Sequence, residues 1–188
     1  MPQMLGKKPA VHDPRTLKLA RYLAPDLPAV PESSDWSGKV GGAFPVYLND
    51  QIGDCAIAMV AHQGRVWTAN DAPKMVQPTD QQVVDGYARC GGYRPGNPAT
   101  DNGCVMLDVL KVWRREGLCG GKIGAFAQGH PTDHRVAKAG MHMFGGLLLG
   151  VQLPRAAEGR DEWLAPPPQN QVGEWAKGSW GGHAITAC

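Results

Sequence analysis

The stretch that decides the reading is Asn49-Asp50-Gln51-Ile52-Gly53-Asp54-Cys55-Ala56-Ile57-Ala58-Met59-Val60-Ala61-His62. Apolar residues at Ile57, Met59, Val60, Val66 and Trp67 predict a mostly buried helix from Asp54 to Asn70, with Gly64 weakening its second half. Asp54 suits the N-cap or the first turn. Cys55 then stands where the positive end of the helix dipole and unpaired backbone N–H groups favour a thiolate, the reactive form of the side chain. Gly53 lets a second backbone come close. Cys55 is therefore a candidate nucleophile, with an inert core thiol as the plainer alternative. His62 lies two helical turns on, about 10 Å along the axis, too far to pair with the thiol, and reads as structural.

Before this stretch, residues 1–34 form an arm with six prolines (Pro2, Pro9, Pro14, Pro25, Pro28, Pro31) and one short helix expected at Arg15–Leu23. Residues 37–53 are Gly-rich and read as loop. After it, Thr79 and Gln82 make a capping box for a helix running toward Arg89. A third helix is expected from about Cys104 to Glu116, ended by Gly117, and a short one at His134–His142. Lys122–Gln128, Phe144–Leu153 and the segment ending the sequence read as strands, the last by its alternation at Ala184, Thr186 and Cys188. Helices first and strands last argue an α+β fold rather than a doubly wound sheet.

Composition narrows the function classes. The net charge is +2 over 188 residues, which leaves no electrostatic footprint for nucleic acid or an anionic membrane. Gly (25) and Pro (16) fill about a fifth of the chain, so turns are frequent. No apolar h-region opens it, and the longest apolar run, Met141–Pro154, is too short for a bilayer. The expectation is a soluble, cytoplasmic protein whose five cysteines stay reduced. No CxxC or HExxH spacing supports a metal, no Lys-Ser/Thr helix start supports phosphate binding and no GxSxG supports a serine triad. No metal or cofactor is expected.

His183, behind Trp180-Gly181-Gly182, supplies the late histidine that a Cys–His pair needs. With it the sequence resembles the papain-like cysteine peptidases over residues 35–188. Asp35-Trp36 is similar to the opening of that domain, and Pro45-Val46 stands ten residues before Cys55. Gly53-Asp54-Cys55 replaces Gly-Ser-Cys. Asn102-Gly103-Cys104 is similar to the Asn-Gly-Gly that lines the substrate cleft, and Ser179 to Ile185 to the strand carrying the histidine. The likeness is closer to uncharacterised phage and prophage papain-like proteins.

The resemblance implies a helical lobe at about 50–118, an antiparallel β lobe at about 120–188 with part of 35–48, and a cleft between them. It implies Cys55 as nucleophile, His183 as general base and Asn49 as oxyanion donor, with Gln51 as a fallback. It places Gly53, Asp54, Asn102, Gly103, Trp180 and Gly182 along a peptide or protein substrate. The third residue that orients the histidine, and the strands after it, have no counterpart, because the sequence stops five residues beyond His183. Two functions stay open: hydrolysis of a peptide or other amide, and a weak or inactive binding component of a phage particle. The arm is the expected contact with protein partners. The same likeness implies a bacterial or phage-encoded, cytoplasmic setting, with association to a virion as the alternative.

Overall fold

The computed structural model describes residues 4–23, 29–160, 162–163 and 171–188. Helix α1 spans Cys55–Asp71, as its apolar pattern requires, and every residue from Cys55 to Ala61 is buried. A helix apolar on so many sides needs neighbours all round. Helix α2 (Asp80–Gly91) and helix α3 (Met106–Arg115) pack on one flank. The Thr79–Gln82 capping box forms in both directions, and α2 ends on left-handed Gly92. The ring of Trp67 stacks on Trp113 of α3 at 5.5 Å.

The other flank of α1 meets a sheet. Helix α4 (His134–Phe144) is capped by the Asp133 carboxylate and stops at left-handed Gly145. Strands Leu147–Leu153 and Gly181–Ala187 follow and pair antiparallel, from Leu147 opposite Ala187 to Leu153 opposite Gly181. Two shorter strands precede them in the chain. Numbered in chain order, β1 is Leu17–Lys18 and β2 is Ala127–Gln128, which pair in parallel, and the longer pair is β3 and β4. Ala184 of β4 belongs to the same buried cluster as Cys55, Tyr87, Val109 and Trp113, and the Thr186 hydroxyl donates to Met59 O of α1 at 3.0 Å.

The fold is α+β, as expected. The helices fall where the periodicity placed them, within two residues at most boundaries and with α3 starting two residues late. Three expectations change. Arg15–Leu23 forms no α-helix: Leu17–Lys18 finds β2 as a partner, and a single 3-10 turn follows at Leu19–Arg21. Of Lys122–Gln128 only the last two residues are strand, and residues 35–48 add none. The two lobes are not separated at depth either, because one core runs from α2 through α1 to β4. The described parts of the arm lie on their own chain, with Asp13 bonded to Lys111 at 3.1 Å and Leu19 buried. The polar stretch from Arg155 to Gly178 reads from its sequence as a long surface loop, and its triple proline, Pro166–Pro168, lies outside the described residues.

Candidate functional site

The loop that delivers Cys55 is held from behind by His62. Its Nε2 lies 2.8 Å from Pro45 O, and its ring packs against Phe44 and Tyr47. The structural reading of His62 is therefore what the structure shows. Tyr47 and Leu48 both adopt left-handed backbone, with φ of 55° and 68°, a conformation that costs a non-glycine residue on the order of 1 kcal/mol or more. This double turn swings Asn49 under the arm.

A second set of bonds ties the Gly53 loop to the loop before α3. The Asp101 carboxylate accepts from Gly53 N at 3.0 and 3.2 Å and from the Tyr87 hydroxyl at 2.5 Å. Tyr87 Oη in turn accepts from Gly103 N at 2.7 Å. Gly53 and Gly103 are thus fixed to each other through two buried or half-buried side chains. Asp101 and Tyr87 had no signature in the sequence: Tyr87 reads as an apolar position of α2, and their bond joins residues fourteen apart.

Between this pair of loops and β4 runs a seam, and Met4–Lys8 lies in it. Met4 N donates to Asn49 O at 2.6 Å, and Asn49 Nδ2 donates to Met4 O at 3.1 Å. Cys104 N donates to Gly6 O at 2.7 Å, Lys8 N donates to Cys104 O at 2.9 Å, and Lys7 N donates to Gly182 O at 3.1 Å. The segment runs parallel to Cys104 and joins it to the free edge of β4. A Cβ added to Gly6 would collide with Gly53 O, one on Gly103 with Gly6 O, and one on Gly182 with Lys7 O. Gly53, Gly103 and Gly182 were expected along a bound peptide, and here they line the chain's own.

Cys55 lies beneath, 1 % exposed. The amides of Ala184 and Gly6 face its sulfur, but burial outweighs them and pushes the thiol up to about 11. The helix dipole does not produce a thiolate in this state, because desolvation of the charged form is the larger effect. Burial also raises Cys90, Cys104 and Cys119, so Cys55 is not set apart from the other buried thiols by acidity. Asp54 is fully buried, and among the described residues neither carboxylate oxygen makes a well-aligned hydrogen bond; loss of water outweighs the facing Asn49 amide and pushes it up to about 8. It stands at the N-cap without a side-chain cap bond.

Among the described residues no hydrogen bond joins His183 Nδ1 to the thiol. Side chains alternate along a strand. Ala184 and Thr186 face α1, so His183 occupies the opposite face of β4, where Trp163 meets its ring edge-on at 5.6 Å. Its Nδ1 is buried without a partner among the described residues, and burial lowers its pKa to about 4, leaving it neutral at pH 7. The alternation at Ala184, Thr186 and Cys188 carried this information in the sequence. Asn49 gives its side-chain amide to Met4 O and Ile52 O. Asn102 bonds Ala99 O, away from the seam, and the Trp180 amide donates to Leu153 O at the base of the hairpin. Gln51 sits on the exposed surface.

Among the described residues no group of three or more His, Cys, Asp or Glu side chains is arranged to hold a metal, and no helix is long and apolar enough to cross a membrane. No family model, no curated protein and no solved structure matches this chain.

Proposed function

We propose that the protein binds the main chain of an extended peptide in the seam above Cys55, on a frame of papain-like type, and works as a binding component. The observation that carries this reading is the set of main-chain bonds from Met4–Lys8 to Asn49, Cys104 and Gly182. Main-chain pairing to an open strand edge supplies affinity for a peptide of either sequence, and the walls supply selectivity. The buried, protonated thiol and the displaced imidazole fit binding better than rapid turnover. A phage particle is the setting the resemblance implies for such a component.

A second reading, a thiol hydrolase, is favoured by the place of Cys55 at the head of α1 with two amides at its sulfur. In it the Cys55 sulfur attacks an amide carbon and passes its proton to His183, and Asn49 with the Cys55 N–H holds the oxyanion. The C–N bond breaks as His183 hands the proton to the departing amine, and water then cleaves the thioester to free the acid and the thiol. It requires His183 to reach the other face of β4.

One substitution separates the two. A labelled octapeptide library at millimolar concentration is captured by the wild-type chain and by Cys55→Ser alike, and is recovered uncut. Capture by neither protein overturns the binding reading. Cleavage by the wild type that disappears in both Cys55→Ser and His183→Ala replaces it with the hydrolase.

A further inference from the structure

The seam is narrower than a generic peptide site. Gly6 is buried, and its Cα lies 3.2 Å from the position a Gly53 Cβ would take, with Gly53 O on one side and Gly103 on the other. No side chain fits there unless two loops move, and the Asp101–Tyr87 bonds hold those loops together. On either side of Gly6 the walls change character. Leu5 lies against Gly181, whose added Cβ would stand 2.8 Å from Leu5 Cδ1. The stem of Lys7 crosses Gly150 beside Met106, within 2.5 to 3.0 Å of where a Gly150 Cβ would be. The seam therefore has a slot for an apolar side chain, a slot for none, and a slot for a long stem whose ammonium turns back to donate to Lys8 O at 3.2 Å.

The segment that fills these slots is weakly tied elsewhere. Pro9 to His12, which follows it, is exposed, so residues 4–8 are held to the body by a short lead and by the bonds of the seam itself. A ligand on a lead competes at a high effective concentration with any ligand in solution.

We propose that Met4–Lys8 is a tethered, displaceable ligand of the seam, and that the seam selects extended peptides with glycine at the Gly6 position, flanked by an apolar residue and a lysine. This rests on the reading of the seam as a peptide site and requires no turnover. The arm then acts as a cover: while it is in place Cys55 is sealed, and a matching peptide from another protein gains the seam only by displacing it.

The test uses the full chain carrying Gly6→Ala. Iodoacetamide labelling of Cys55, read by peptide mass mapping, is expected to rise at least tenfold over wild type while the melt stays cooperative. Free acetyl-MLGKKPA-amide is expected to restore protection of Cys55 in Gly6→Ala, and the same peptide with alanine for glycine to fail. Unchanged labelling in a folded Gly6→Ala overturns the proposal, as does equal protection by both peptides. Exposure of Cys55 with protection by neither peptide removes the underlying peptide-site reading instead. Hydrogen exchange of the wild-type chain tests the cover without a variant. The amides of Lys7 and Lys8 are expected to exchange at least a hundredfold faster than those of α1, through opening of the arm alone. Exchange of both sets at one rate makes the segment an ordinary strand of the fold and overturns the proposal.

Discussion

Asp54 keeps a proton at neutral pH that it would lose in water, because its carboxyl is wholly buried and the loss of water outweighs the facing Asn49 amide. Its folded pKa of about 8 lies above the unfolded value of 3.8. The stabilising contribution is complete below pH 4 and is lost as pH rises toward 8. His183 works in the other direction: its folded value of about 4 lies below 6.5, so its contribution grows from pH 4 to 6.5 and is then constant. Above pH 6.5 only Asp54 remains. At about 1.4 kcal/mol per unit, stability should fall by about 2 kcal/mol between pH 6.5 and 8, or about 4–8 °C in melting temperature for a chain this size. Asp54→Asn should remove that fall, and a melt series over this pH range measures it. The glycines of the seam were legible because a glycine in a motif announces close approach. The face of His183 was legible only through strand parity. The burial that governs Cys55 was not, since a residue's solvent access depends on segments forty to 130 positions away.

At the scale of elements, the helices were readable because their signals are local: the Thr79–Gln82 cap, the apolar stripe of α1, the stop at Gly117. The Arg15–Leu23 segment was not, because Leu17–Lys18 is settled by pairing with Ala127–Gln128, more than a hundred residues on, and long-range pairing overrides a weak helix preference. The junction between the Gly53 loop and the loop before α3 is likewise non-local. Tyr87→Phe removes the hydroxyl that bonds both Asp101 and Gly103 N. It should cost about 1–3 kcal/mol, since it leaves buried polar groups unpaired. Asp101→Ala should cost a similar amount, and the two should be strongly non-additive, with a coupling of about 0.5–3 kcal/mol. Chemical denaturation of the two single variants and the double variant measures the coupling. Additive losses would mean that the junction is not one network.

For the whole molecule, the single core through α2, α1 and β4 bears on how it unfolds. Two lobes on either side of a deep cleft would melt in two steps. A shared core should give one transition, with far-UV circular dichroism and tryptophan fluorescence coinciding. Separate midpoints for the two probes would show that the helical part stands alone. The sequence supported a helical half and a strand half because composition and period change along it. It could not reveal that α1 belongs to both, since an all-round apolar helix states only that it is covered and not by what.

The arm's bond from Lys7 to Gly182 has one more consequence. It occupies one carbonyl of the outer edge of β4, that of Gly182. Unpaired strand edges are templates on which other chains assemble. Each departure of the arm therefore frees that carbonyl and bares the start of the edge, and the time spent open sets how readily two molecules stick together as concentration rises.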